Sequence, residues 1–187
     1  MNLRTALACL LIITASVVIA ATDDEGYNDT TILLSDIPQD APRFESYPAE
    51  RYSGKNAAPI LNGDPTTRMY RTRIKEWSKV RPNFAGHYIL ATWGCGTDCT
   101  QLAIIDAITG KVIHPAGAST NVATNVHQEL LQGGDHWQMS GSIKFRPDSN
   151  LLVLIGMPEE DSTKRGISYY VWDGAQLSLV RLVQKAY

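Results

Sequence analysis

His87-Tyr88-Ile89-Leu90-Ala91-Thr92-Trp93-Gly94-Cys95-Gly96-Thr97-Asp98-Cys99-Thr100-Gln101-Leu102-Ala103-Ile104-Ile105 is the stretch on which the fold turns. Residues 87–93 alternate, imperfectly, between apolar and polar side chains, and residues 100–105 form a mostly apolar run; both read as strands. Between them lie two cysteines separated by three residues, with glycine at 94 and 96. Residues this rich in β-branched and aromatic side chains, interrupted by a short glycine-containing break, argue against a helix.

Downstream the pattern repeats. Residues 106–110 make a turn, with Thr109-Gly110 supplying the left-handed position of a tight reversal, and residues 111–114 return. Residues 115–135 are small and polar, with one helical turn at most around Glu129-Leu130-Leu131, and read as a long surface excursion. Further strands are expected at 142–146, 151–155, 167–172 and 177–183. The run 151–155 is apolar on both faces, as in a central strand. Short connections make these strands antiparallel neighbours.

Upstream, Asn62-Gly63-Asp64-Pro65 opens a helix: Asp64 can cap the free amides and Pro65 fits the first helical position. Tyr70, Ile74 and Trp77 fall on one face, and Pro82 ends the helix near Val80 or Arg81. The expected fold is therefore α+β: a mainly antiparallel, curled sheet of about six or seven strands with one N-terminal amphipathic helix packed on it.

The remaining N-terminal residues divide in two. Residues 1–21 have the order of a secretory signal peptide: Met1-Asn2-Leu3-Arg4, an apolar run from Leu7 to Ile19, small residues at 20 and 21, then Asp23-Asp24-Glu25. The run is shorter than the ~20 residues that a membrane span needs, which favours removal over retention as an anchor. Cys9 lies inside it, with too little apolar chain before it for a lipoprotein site. Residues 22–60 read as an acidic, proline-containing extended arm, solvated by its charge or laid against the basic helix; 61–187 read as a single globular domain.

Composition narrows the function. The 187-residue chain is 44% apolar with a formal charge of −2, which becomes −3 without Arg4 of the leader. Bulk attraction to nucleic acid or an acidic membrane is not expected. Charge is segregated, however: residues 22–50 are acidic, whereas 64–81 carry Arg68, Arg71, Arg73, Lys75, Lys79 and Arg81 against two acids. The basic face is either plain solvated surface or a dock for an acidic partner.

Three chemistries are open to Cys95 and Cys99 after export. A disulfide is favoured, since the flanking glycines let so short a loop bend. A redox dithiol would lack the two-residue spacing of thioredoxin-type motifs. A metal site with His87 would lack the second close-spaced pair that structural zinc draws on, since His114, His127 and His136 are isolated. Neither a metal nor a cofactor is expected. An enzyme using His87 and Cys95, as thiol oxidoreductase or hydrolase, is the alternative function, yet no Gly-x-Ser-x-Gly, His-Glu-x-x-His or phosphate-cradling glycine loop is present. Trp93 and Trp137, each beside a polar loop, are candidate binding anchors, with Asp98 and His87 as further ligand-binding candidates.

Asn83-Phe84-Ala85-Gly86-His87-Tyr88, Trp93-Gly94-Cys95-Gly96-x-x-Cys99 and Ala103-Ile104-Ile105-Asp106-Ala107-x-Thr109-Gly110-Lys111-Val112 together resemble a family of small exported bacterial envelope proteins of uncharacterised activity. That resemblance implies a periplasmic or secreted protein. The plan of a small exported sheet with a disulfide loop is also similar to periplasmic lysozyme inhibitors, but Ser53-Gly54 and Ser140-Gly141 lack the tyrosine of their Ser-Gly-x-x-Tyr loop. The leading expectation is an exported binding module for a protein or cell-envelope ligand. No nucleic-acid partner and no transmembrane segment after leader removal are expected.

Overall fold

Strand β1 (Tyr88–Gly96) and strand β2 (Cys99–Asp106) pair antiparallel, and alternation sends their side chains to two different cores. Leu90, Leu102 and Ile104 point into the inner core, where they meet Phe145, Leu152, Leu154, Tyr170 and Trp172. Ile89, Ala91, Trp93, Ala103 and Ile105 point the other way and pack on Ile74. The computed structural model that carries these contacts describes residues 29–133 and 141–186.

Among the described residues the sheet has eight antiparallel strands and few helices, and it does not close. Its remaining strands are β3 (Val112–Ile113), β4 (Thr120–Val122), β5 (Ile143–Phe145), β6 (Leu151–Pro158), β7 (Gly166–Trp172) and β8 (Leu177–Gln184). The order is β1-β2-β4-β6-β7-β8, with β3 beside β4 along one edge of β2 and β5 beside β4 along one edge of β6. Strand β4 is the one that the sequence pattern does not announce, and it exceeds the expected six or seven. It joins the two halves of the sheet. Asn121 at its centre is fully buried and donates to the carbonyl of Ile155 (2.9 Å) and to Ser142 Oγ (3.1 Å). Gly156 lets β6 come close: a Cβ there would stand 2.3 Å from the Val122 carbonyl oxygen, and its φ is +134°.

Because β6 and β7 lie between two layers, both of their faces are apolar. Leu151, Val153, Ile155, Ile167 and Tyr169 form a third cluster with Ile32, Phe44 and Leu130, the last from helix α3 (Gln128–Leu131). Ile32 and Phe44 belong to the N-terminal arm. The expectation of a solvated arm does not hold here, because the outer face of β6–β7 needs a cover and the arm provides it. The arm's acidic residues do not meet the basic helix, although the later part of the arm does, where Asn56 donates to the carbonyls of Ser78 and Val80. Asp40 pairs with Arg181 (3.0 Å), Asp36 with Lys185 (3.1 Å), and Glu45 with Arg146, all in the C-terminal half. Arg165, 1% exposed, fastens the arrangement: its guanidinium donates to the carbonyls of Thr30 (2.7 Å) and Lys185 (2.9 Å), and more distantly to Ala186, Thr124 and Asn125.

The outer face of β1–β2 is covered differently. Asp64 accepts from the Thr67 amide (2.9 Å) and starts α1 (Pro65–Met69). Instead of one helix to residue 80, the chain breaks at Tyr70 (φ −98°, ψ 16°) and resumes as α2 (Arg71–Trp77). Backbone bonds from Tyr70 to Thr66 and from Ile74 to Tyr70 still span the break, and the Tyr70 ring reaches Trp93 with centroids 4.9 Å apart. After Trp77 the ladder tightens, with the Val80 amide on the Trp77 carbonyl. Among the described residues no helix is long and apolar enough to cross a membrane.

Candidate functional site

The β1–β2 hairpin ends in a bulge at Cys95 and a two-residue turn, Thr97-Asp98. Cys95 and Cys99 are joined by a disulfide with Cα atoms 5.1 Å apart. Asp98 adopts a positive φ of 53° and Gly96 one of 152°, so the bridge closes a sharply bent ring. Residues 94–98 are all exposed. Below them the Ala123 amide donates to the Asp98 carbonyl (2.8 Å), and Cys99 pairs with Val122 of β4. The tip is thus covalently bent, backed by sheet and open to solvent. The chain-entropy gain for so short a ring is only about 2 kcal/mol, so the bridge shapes the tip more than it stabilises the fold.

Trp93 does not join that surface. It is 9% exposed, packs against Tyr70 and donates from Nε1 to Gln101 Oε1 (3.2 Å). Its period-2 relation to Ile89 and Ala91, both buried on the helix side, is the signal that places it there; its neighbourhood to the cysteines obscured it. Trp137 lies outside the described residues, as do His136 and Ser140. Asp98 stays exposed at the turn.

His87 stands at the other end of β1. From His87 to Cys95 the strand runs eight residues, or about 26 Å at ~3.3 Å per residue, and the Cys95 sulfur is already bonded. The pair His87/Cys95 therefore makes no nucleophile and base. His87 rests on the Tyr88 ring (4.1 Å) with Nε2 3.7 Å from Asp106 Oδ1. That carboxylate is occupied by the turn: it accepts from the amides of Ile108 (2.8 Å) and Thr109 (3.2 Å) and from the Thr109 hydroxyl (2.7 Å). Burial works to raise the Asp106 pKa, but these hydrogen bonds outweigh it and hold the carboxyl below its ordinary range.

A second polar constellation escaped the reading of the sequence because its members are far apart along the chain. The Thr67 hydroxyl donates to Asp64 Oδ2 (2.5 Å) and lies 3.0 Å from His114 Nε2. Thr67 is fully buried, so its oxygen is closed to a substrate; the trio ties α1 to the residue after β3. Burial lowers the His114 pKa, although the Asp64 carboxylate opposes it. Among the described residues no three His, Cys, Asp or Glu side chains converge as metal ligands. No known family, curated protein or solved structure matches the chain.

Proposed function

We propose that the chain is an exported binding module, periplasmic or secreted after loss of a leader at residues 1–21, that recognises a protein or cell-envelope ligand through the tip of the β1–β2 hairpin. The observation that carries this reading is the tip itself: five exposed residues bent by a disulfide and backed by β4. Such a loop is ordered before it meets a partner, so little conformational entropy is lost on binding. Asp98 at its apex offers the charge and Thr97 the hydroxyl. The export signal and the resemblance to small envelope proteins support the compartment. The same reading takes α1 and α2, packed on the outer face of β1–β2, as the helical part of an α+β fold.

Capture from an envelope fraction with the immobilised protein tests it. A partner retained by the parent protein and lost from both Asp98→Ala and Cys95→Ser/Cys99→Ser, with each variant keeping its far-ultraviolet spectrum, is the expected outcome. Equal capture by the parent and both variants would remove the tip from consideration.

A further inference from the structure

Between the C-terminal end of α2 and the chain segment 51–59 runs an open cleft of about 1050 Å³. Asn56 fixes its two walls to each other by donating to the carbonyls of Ser78 (2.9 Å) and Val80 (2.7 Å). The segment is also tied to the sheet: the Tyr52 amide binds the Gly86 carbonyl, Ala57 that of Ala107, and Ile60 that of Gly110. These bonds make the cleft a built feature.

Its lining carries Arg51, Lys55, Lys75, Lys79 and Arg81, and no aspartate or glutamate. All five are exposed, and among the described residues none comes within ion-pair distance of a carboxylate. The nearest acids in sequence do not neutralise them, since Glu76 faces Arg73 (3.6 Å) and Glu50 lies outside the lining; Asp148, also outside the lining, feels the charge of Arg51 alone among the five. The dipole of α2 accounts for Lys75 and Lys79, which sit at its negative end. It does not account for Arg51, Lys55 and Arg81, which converge from two other stretches of chain. Five like charges around one concavity raise the local potential and draw in anions.

The cleft also limits what kind of anion fits. Tyr52 is its one aromatic residue, and that ring is engaged: it packs on the Ile74 cluster, and Gly54 lies so close that a Cβ there would come within 2.2 Å of the phenolic oxygen. No aromatic face is left on which a nucleobase could stack, as single-stranded nucleic acid requires. Three of the five cations are lysines, which act as point charges without a fixed fork and so suit phosphates spaced along a flexible chain. We propose that this cleft binds a linear, base-free phosphate polymer. The proposal stands independently of the hairpin tip, which is elsewhere on the sheet.

Titration of the purified protein with inorganic polyphosphate, followed by calorimetry at about 50 mM and 200 mM salt, tests it. Saturable binding that weakens with salt is expected. Lys75→Ala/Lys79→Ala and Arg51→Ala/Lys55→Ala should each reduce affinity at least tenfold and flatten the salt dependence. Lys75→Arg/Lys79→Arg should preserve binding, and Asp98→Ala should leave it unchanged. Absence of binding at the lower salt, equal affinity in the alanine variants, or tighter binding of a sulfated glycan or a single-stranded oligonucleotide would each overturn the assignment. Thermal melting of every variant separates lost binding from lost fold.

Discussion

The two outer faces of this sheet are covered by different means. Over β6–β7 lies the arm, whose acidic side chains Asp36, Asp40 and Glu45 each find a basic partner, Lys185, Arg181 and Arg146, on or just beyond the strands β5 and β8. Over β1–β2 lies α2, where Lys75 in its last turn and Lys79 just beyond its end find no such partner and join three more cations around a cleft. Both covers bury one apolar anchor completely, Ile32 in the arm and Ile74 in the helix. The packing is alike, but the charge is satisfied within the molecule on one side and left facing outward on the other. A surface whose charge is internally balanced is a structural lid; one whose charge is not is where an outside partner gains most.

The strongest way to break this contrast is Arg165→Ala. It removes the donor shared by the carbonyls of Thr30, Lys185 and Ala186, and leaves part-buried acceptors unmatched. The expected loss is about 3–5 kcal/mol in urea unfolding, with early proteolytic cleavage in residues 29–50 and an unaltered basic cleft. If the cleft is lost together with the arm, the two covers are one unit and the contrast fails.

Ile32→Ala and Ile74→Ala sharpen it. Each should cost about 2–5 kcal/mol. Limited proteolysis should then find the arm cut first in Ile32→Ala and the 65–80 segment first in Ile74→Ala. A common cleavage pattern would contradict independent covers.

Cys95→Ser/Cys99→Ser concerns the tip alone. A fall of about 2 kcal/mol or less is expected, with β1–β2 amides still slow to exchange, since the ring is short. The parent protein should also show no alkylatable thiol at Cys95 or Cys99 before reduction.

The smallest effect is electrostatic and belongs to the α1 side. His114 has a folded pKa below its ordinary value of about 6.5. Above that value the ring is neutral in both states and its full contribution is present. As pH falls through 6.5 toward the lower folded pKa, the unfolded chain takes up the proton first, and stability declines by at most ~1.4 kcal/mol per pH unit. His114→Asn should abolish this part of the acid slope in melts between pH 7 and pH 5; an unchanged slope would place the titration elsewhere.

Much of this architecture was legible beforehand, where burial follows a simple period. The alternation around Leu90 and Ile104, the doubly apolar run of β6, and the Asp64-Pro65 helix start all express local rules. Strand β4 was not legible, because its central residue is Asn121, buried through hydrogen bonds against the usual apolar pattern. Trp93 carried the right period but the wrong neighbours. The basic residues of α2 stood out, yet Arg51 and Lys55 sit just beyond the acidic run and gain their meaning only when Asn56 bonds to Ser78. Long-range pairing of that kind leaves no mark on a single window of sequence.

The docking of the arm also sets an order of events in time. Its ion-pair partners lie between 101 and 149 residues further along the chain. The arm is made near the start of synthesis, while Arg146, Arg165, Arg181 and Lys185 are made near the end. Hairpins such as β1–β2 and β7–β8 can zip locally, but the outer face of β6–β7 stays bare until both strands are made and the arm comes back to it, and two of the arm's ion pairs wait for Arg181 and Lys185. A product stalled before β6 would therefore present an arm with no face to cover and a loose acidic segment at once, the combination that quality-control proteases attack.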